Sequence, residues 1–281
     1  MSRLRLLARS PSGLLGATLL AALVLLAFVG PLVVPPEARA HVERIYQGPS
    51  PQHVLGTDFQ GRDNLVLLIH GGRDVILLAF TAGLLTTLLA CTIGAIGGFV
   101  GGAVDRLLMT ITDIWLTLPR FLLLVVLASL VRLDDVWSLA LLLALFGWPG
   151  LARQVRAQVL SLTRRAYVEA ARQLDLGTPH IIFREILPNM LPFISIALIG
   201  TMTQAIYAQT GLVFLGIVPF GNTWGVLFSL AYAKNAIYLP RAAWSLLCPM
   251  AAIILFQLAL VLLARALEAV FNPRLGTGGA S

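Results

Sequence analysis

The sequence predicts an all-α, polytopic integral membrane protein with six transmembrane helices and with its N- and C-termini on the cytoplasmic side. Hydrophobic residues make up 58% of the 281 residues, and the mean hydropathy of +0.88 lies outside the range usual for soluble domains. Apolar segments recur along the chain, and most are long enough to cross a hydrocarbon core about 30 Å thick. Arginines concentrate beside alternate connections between these segments, as the positive-inside rule expects.

The first predicted span, residues 14–34, is uncharged and follows an arm that carries Arg3, Arg5 and Arg9. Basic residues favour the cytoplasmic side, so we expect the chain to start there. The span is longer than the roughly 7–15 apolar residues of a cleaved signal peptide, which favours a permanent anchor. The other predicted spans are residues 75–104, 110–131, 136–151, 192–215 and 242–263.

Two of these spans contain interruptions. Residues 119–120, Pro-Arg, break the third span near its start. A charge at mid-membrane costs about 2.5–3.5 kcal/mol, so Arg120 is expected either to snorkel or to face protein. Residues 147–150, Gly-Trp-Pro-Gly, interrupt the fourth span, which leads directly into the basic cluster that begins at Arg153.

The second span is dense in glycine. The pairs 94–98, 97–101 and 98–102 have the Gly-x-x-x-Gly spacing, which lets helix backbones approach closely. We favour packing within the chain's own helix bundle over an interface with another subunit. Asp105 and Arg106 are predicted to turn the chain at the cytoplasmic side.

The predicted organisation has three parts. Residues 1–74 form a cytoplasmic arm, the first transmembrane helix and an outer segment. Residues 75–270 form a five-helix core, which contains a cytoplasmic loop at residues 152–190. Residues 271–281 form a cytoplasmic tail.

The outer segment contains two Gly–Asp turns in close succession. Aspartate can bond amides two residues ahead and glycine tolerates positive φ, so structural turns are favoured. The alternative is a surface that shapes the cavity mouth or meets a partner outside the membrane. The residues concerned are Gly56, Asp58, Gly61, Arg62 and Asp63. A separate short helix is predicted at residues 64–69.

Several functions are disfavoured by what the sequence lacks. It has no phosphate-binding Gly-x-x-x-x-Gly-Lys-[Ser/Thr] loop, no Gly-x-Ser-x-Gly elbow, no His-Glu-x-x-His and no Cys-x-x-Cys. No catalytic or metal-ligating group is therefore predicted. The net charge of +7 comes from arginines beside apolar segments, which argues against nucleic acid as a partner. The sequence predicts a conduit whose energy comes from elsewhere.

A polar stretch at residues 167–188 stands between the fourth and fifth spans. Good helix formers occupy residues 165–176, Gly177 can end that helix, and Thr178 followed by Pro179 can begin another. The second helix is expected to be short and to stop or kink at Pro188. A cytoplasmic helical hairpin of this kind favours docking to another protein.

The hairpin resembles the Glu-Ala-Ala loop of permease subunits in ATP-binding-cassette (ABC) importers. Glu169, Ala170 and Ala171 supply the motif, and Leu187-Pro188 follows at the family's spacing. Nearly the whole chain is similar to the second permease subunit of dipeptide and oligopeptide importers. The other matching stretches are residues 55–63, 147–150, 214–216 and 272–274.

The resemblance implies that the first helix of the loop docks on an ATPase subunit. The residues assigned to this docking loop are Glu169, Ala170, Ala171, Arg172, Asp175, Gly177 and Pro188. The family has glycine four residues after the second alanine, where this chain has Asp175. We therefore expect the turn to be displaced to Gly177.

The resemblance also implies the partners and the location. These are a second homologous permease, two ATPase subunits, an extracytoplasmic substrate-binding protein and the lipid bilayer of a bacterial or archaeal plasma (inner) membrane. The chain itself is expected to bind no cofactor, because ATP and Mg²⁺ would be held by the ATPases. Peptide is the first choice of substrate, with oligosaccharide or nickel as alternatives.

Four polar residues of the fifth span have two interpretations. Thr201, Gln204, Tyr207 and Gln209 either line a translocation path or form hydrogen bonds between helices. From other functional classes, an ion-coupled carrier or a membrane scaffold stays open, although the spans contain almost no acidic residues for ion coupling.

Overall fold

A computed structural model describes residues 10–37, 39–131, 133, 135–217 and 221–271. The predicted basic arm and the tail beyond Phe271 lie outside these residues. Within the described ranges every regular element is a helix, and the one β-contact is an isolated bridge between Thr57 and Asp63. The all-α fold class is confirmed.

The α-helices are α1 (Pro11–Phe28), α2 (Gly30–Val33), α3 (Asn64–Val100), α4 (Gly102–Thr117), α5 (Arg120–Leu130), α6 (Val136–Leu162), α7 (Ala166–Gln173), α8 (Thr178–His180), α9 (Leu187–Phe214), α10 (Trp224–Ala233) and α11 (Ala243–Phe271). A π-helix at Ile181–Ile186 joins α8 to α9. Short 3₁₀ helices lie at Val42–Arg44, Ala236–Tyr238 and Pro240–Ala242.

Five helical segments of the described chain are long and apolar enough to cross a membrane. They are Pro11–Val33, Asn64–Val100, Val136–Leu162, Thr178–Phe214 and Pro240–Phe271. The helices α4 and α5 meet at an angle of 82°. They form a sixth span if the two together count as one broken span. The predicted break at Pro119 is confirmed, and both Leu118 and Pro119 have extended backbone there.

Three local predictions are wrong. The predicted short helix at residues 64–69 is the first part of α3, which runs unbroken for 37 residues. The chain turns after α3 at Gly101 and Gly102, which both have positive φ, whereas Asp105 lies inside α4. The motif at residues 147–150 leaves α6 continuous, because one proline removes a single intrahelical donor that the packed helix tolerates.

The described residues divide into two compact units. Of these residues, unit 1 contains those up to Ala79, those at 133, 135 and 136, and those from Ile206 to Ala266. Unit 2 contains those from Phe80 to Val131, from Trp137 to Ala205 and from Leu267 to Phe271. The sequence-based boundary between residues 74 and 75 falls within α3.

Unit 1 is built around a buried tryptophan. The indole Nε1 of Trp224 donates a hydrogen bond of 2.9 Å to the carbonyl of Leu68 in α3. The Trp224 ring meets Phe256 of α11 edge to face, with ring centroids 6.0 Å apart. The helix α1 also packs closely on α11, since a Cβ at Gly16 would lie 2.9 Å from the Cβ of Leu262.

Unit 2 depends on the close approach of α3 and α6. A Cβ at Gly94 would lie 2.5 Å from the carbonyl oxygen of Ala152, and one at Gly98 would lie 3.0 Å from that of Arg156. These glycines therefore serve packing within the chain's own bundle, as predicted. Arg156 also forms a bidentate ion pair with Asp105 of α4. A third helix therefore contacts α6 next to its contact with α3.

We predict that Gly94→Ala destabilises the protein by about 1–3 kcal/mol, the usual effect of overpacking a close helix contact. Gly150→Ala is the matched control, because a Cβ at Gly150 meets no atom within 4 Å and alanine favours a helix interior. Thermal unfolding of the detergent-solubilised protein measures both. Equal unfolding temperatures for the two variants would contradict the packing role of Gly94.

Candidate functional site

The predicted docking hairpin has one face fixed to unit 2 and one face open. On α7 the side chains of Val168 and Ala171 are buried, with Ala171 only 4% exposed, and they join the core that includes Val155 and Ile186. Glu169 and Ala170 are exposed on the same helix. Ala171 thus contacts the protein's own interior, although it belongs to the Glu-Ala-Ala motif.

The left-handed residue that ends α7 is Asp175, two residues beyond Gln173, and the turn is not displaced to Gly177. The amide of Leu176 donates to the carbonyl of Ala171 at 3.3 Å, and that of Asp175 donates to Arg172 at 3.0 Å. This pair of bonds is a Schellman motif, whose left-handed residue is usually glycine. Asp175 takes that conformation with a φ of 52°. The expected displacement of the turn is therefore wrong, because aspartate tolerates the left-handed region better than most residues.

Gly177 has a different role in the same connection. Its φ of 76° and ψ of 150° fall in a region that only glycine occupies readily. It is the residue that precedes α8, and Pro179 follows within the first turn. The connection thus contains two residues with positive φ, Asp175 and Gly177, separated by Leu176.

Pro188 does not stop the second helix of the hairpin. Helical structure continues from Thr178 to Phe214, and Pro188 is the second residue of α9. The π-helix before it gives the physical reason, because its wider turn pairs the amide of Leu187 with the carbonyl of Ile182. An i→i+5 turn placed immediately before a proline accommodates the missing donor and the bulk of the ring.

The hairpin also exposes apolar side chains. Leu174 is 71% exposed and Phe183 is 68% exposed. Together with Glu169, Ala170 and Arg172 they define what we call the hairpin surface.

Burial raises the pKa of the Tyr167 phenol, which lies beside this surface. The charge of Arg165 lowers that pKa in part, and the charge of Glu185 raises it further. The phenol is therefore neutral at physiological pH.

The side chain of Arg172 is exposed and also contacts another residue of unit 2. Its guanidinium lies over the ring of Phe99 at the end of α3, 5.0 Å from the ring centroid. A cation–π contact of this kind restrains the long side chain while the charge stays accessible. The position of the Arg172 side chain on the hairpin surface is therefore restrained.

The proposed path residues are divided between the two units. Within unit 2, Thr201 is buried and its hydroxyl lies 3.2 Å from that of Thr87 and 3.1 Å from the carbonyl of Gly83. This is the hydrogen bonding between helices that the sequence left as an alternative. Tyr207 and Gln209 lie in unit 1, where Tyr207 is 61% exposed and Gln209 is 2% exposed.

Gln204 has a contact that points to a path. Its Oε1 accepts a hydrogen bond of 3.0 Å from Nη1 of Arg120. Both residues line a cavity of about 260 Å³ in unit 2. Arg120 therefore faces protein, which was one of its two predicted placements. Gln154 lines the same cavity and was missed, because its position in a long polar stretch of α6 gave no signal of what it faces.

The outer turn segment is internally bonded throughout. Both guanidinium donors Nε and Nη2 of Arg62 bind Oδ2 of Asp58, at 2.9 and 2.8 Å. Asp63 accepts the amides of Leu65 and Val66 through Oδ1, while its Oδ2 pairs with His53 at 2.9 Å. Gly56 and Gly61 have φ values of 68° and 74°, as the predicted turns require.

This segment is also fastened to α11. The hydroxyl of Ser245 donates to the carbonyl of Thr57 at 3.1 Å. The amide of Asn64, at the start of α3, donates to the carbonyl of Gly56 at 3.0 Å. The carboxylates of Asp58 and Asp63 are thus used to hold unit 1 together.

Comparison with known proteins agrees with this architecture. Residues 76–277 match the family described as the binding-protein-dependent transport system inner membrane component. The chain belongs to this family. A member of the family is a transport permease of the inner membrane, and the several apolar helices found here fit that assignment.

Named relatives are also similar over most of their length. A putative peptide permease protein of Brucella suis biovar 1 is 34% identical over 228 residues, which cover 80% of this chain and 74% of the relative. The oligopeptide transport system permease protein OppC of Mycobacterium tuberculosis is 31% identical over 262 residues, covering 90% and 88%. OppC of Lactococcus lactis subsp. cremoris is 29% identical over 225 residues, covering 80% and 76%.

We predict that Asp175→Gly stabilises the hairpin of this permease by about 1 kcal/mol, because glycine adopts the left-handed conformation without a Cβ clash. Gly177→Asp is the matched change in the other direction and should destabilise it by more. Hydrogen exchange of the amides of α7 measures both effects. Protection that changes in the same direction in both variants would contradict this assignment of the turn.

Proposed function

We propose that this permease is the membrane subunit of an ATP-driven importer of peptides. It would pair with a second homologous permease, with two ATPase subunits at the cytoplasmic face and with an extracytoplasmic substrate-binding protein. ATP and Mg²⁺ would be held by the ATPases, and this chain would carry out no chemistry of its own. The names of the relatives support peptides as the substrate class.

The observation that carries the docking assignment is that one face of the hairpin is buried against unit 2 and the other face is exposed. Val168, Ala171 and Ile186 fix one face to the core of unit 2, whereas the hairpin surface is left open. That surface combines a carboxylate, a guanidinium and two large apolar side chains, so it offers both charge-assisted hydrogen bonds and apolar contact area. A firmly anchored element with a mixed open surface suits the transmission of force from a bound subunit.

The continuity of the second helix supplies a route for that force. Because helical structure runs unbroken from Thr178 to Phe214, a push on the hairpin is delivered along α9 instead of being absorbed at a joint. Rigid-body displacement of a helix is an established way to switch between two states of a protein. In this mechanism ATP-driven closure of the ATPases moves α9, and the path opens alternately to the two sides.

The proposal includes six spans with cytoplasmic termini, the broken pair α4 and α5 counting as one. The basic residues of the α6–α7 region support this orientation, since they would otherwise lie outside. The residues concerned are Arg153, Arg156, Arg164, Arg165 and Arg172.

We predict that Glu169→Arg weakens association with the ATPase subunits at least about tenfold, because charge reversal at a docking surface places like charges where complementary groups met. Co-purification with tagged ATPases and ATP-dependent peptide uptake in proteoliposomes measure the effect. Both should fall together.

The control for this experiment is Glu43→Arg, which makes the same charge change at an exposed residue of the outer segment. It should leave assembly with the ATPases unchanged. If Glu169→Arg assembles and transports as the unchanged protein does, the docking assignment fails.

The orientation has its own test. With Cys91 and Cys248 replaced by alanine, a membrane-impermeant maleimide added to spheroplasts should label Gln52→Cys but not Ala170→Cys. Both positions are exposed, so the difference reports the side of the membrane. Labelling of Ala170→Cys from outside would overturn the proposed topology.

A further inference from the structure

Arg120 is an arginine of unit 2 that faces a cavity and has no ion pair among the described residues. Two other arginines of the unit are matched with acids, Arg153 with Asp113 and Arg156 with Asp105. Arg120 has one hydrogen bond, to Gln204, and its buried Nε has no partner among the described residues. A cation inside a span is costly unless it is compensated, so this arrangement calls for a functional explanation.

The cavity beside Arg120 is polar without being acidic. Its lining carries amide and hydroxyl groups together with small and apolar residues, and the described lining contains no carboxylate. The lining residues are Leu116, Arg120, Phe146, Gly147, Pro149, Gly150, Leu151, Gln154, Ala197, Gly200, Thr201 and Gln204. With one positive charge, the cavity favours an anion.

The position of Arg120 in the chain strengthens this preference. It is the first residue of α5, immediately after the 82° break at Pro119. The N-terminal end of a helix carries a partial positive charge, which adds to that of the guanidinium. Discontinuous helices that end beside a central cavity are a recurring device for holding charged substrates in membrane transporters.

We propose that Arg120, with Gln154 and Gln204, forms a carboxylate-binding site at which the C-terminal carboxylate of a peptide binds during its passage. The inference rests on the proposed function, because it names a substrate group of the same importer. A guanidinium offers five donors in a planar fork that matches a carboxylate. Nη1 is already oriented by Gln204, and the remaining donors at the end of the guanidinium are left for the ligand.

The geometry also fits the size of such a group. A volume of about 260 Å³ is below the roughly 300–1,000 Å³ of pockets that enclose drug-sized molecules. The cavity therefore has room for the end of a peptide. Every unmodified peptide has one C-terminal carboxylate whatever its side chains, so a site of this kind is compatible with broad sequence tolerance.

The test compares one peptide with neutral side chains as the free acid and as the C-terminal amide. The peptide is chosen so that the substrate-binding protein retains both forms. Uptake of each form is measured with the complete complex in proteoliposomes. In Arg120→Gln the uptake ratio of acid to amide should fall by about tenfold or more, as expected for losing one charge-assisted contact. Arg120→Lys should keep part of the preference.

A second variant covers the case in which Arg120→Gln fails to fold. Gln204→Glu is nearly isosteric and places a permanent carboxylate 3.0 Å from the guanidinium, where Oε1 of the glutamine lies now. It should leave the protein assembled while selectively lowering uptake of the acid form. Arg106→Gln is the matched control, because Arg106 is exposed on the adjacent helix α4 and lies outside the cavity lining.

Each outcome is distinct. A selective fall in the acid-to-amide ratio in Arg120→Gln and Gln204→Glu, with Arg106→Gln unchanged, supports the site. An unchanged ratio, or equal loss of both forms, assigns Arg120 a structural role and overturns the inference. If the unchanged complex imports neither form, the proposed peptide importer fails first. Recovery of uptake by an amide whose side chain carries a carboxylate would place the recognised group on the side chain and overturn the C-terminal assignment.

Discussion

The close approach of α3 and α6 at Gly94 and Gly98 is the constraint on which unit 2 depends. Carbonyl oxygens of α6 lie where the side chains of α3 would otherwise begin. This approach places Val155 in the core against which the hairpin packs Val168 and Ile186. The position of the hairpin surface thus depends on two glycines, Gly94 and Gly98, which lie in α3 and not in the hairpin itself.

The same unit joins the hairpin to the cavity through one element. From Leu187 to Gln204 the helix α9 covers roughly 27 Å at 1.5 Å per residue, without a joint. Its first turn lies beside the anchored hairpin, and Gln204 lies against Arg120. Under the proposed mechanism, a displacement of the hairpin would reach the guanidinium of Arg120 through movement of this single helix.

Composition and hydrophobic length were sufficient to predict the helical, multi-span architecture, because a lipid environment demands long apolar helices whatever the details of packing. The break at Pro119 was also predictable, since an extended residue before proline is a local preference. Local rules failed where packing and neighbouring turns override them. Pro188 and Pro149 lie inside continuous helices, and Asp175 takes a conformation that glycine usually occupies.

The candidate functional residues also differ in how well they could be predicted. The hairpin was recognisable as a distinct polar element because its charges contrast with the apolar segments around it. The burial of Ala171 and the inclusion of Gln154 in the cavity were not predictable, because both depend on which face of a helix meets a neighbour. The turn glycines at Gly56 and Gly61 were predictable, as their conformation is fixed within a few residues.

The π-helix at Ile181–Ile186 gives the hairpin a tolerance to the loss of a residue that α9 lacks. Its wider turn holds one residue more than an α-helical turn would. Loss of one residue there converts it to an ordinary α-helix and leaves the following side chains in register. The same loss further along α9 would rotate every later side chain by about 100° and move Gln204 away from Arg120. Loss of one residue at the π-helix would therefore leave the geometry of the cavity unchanged.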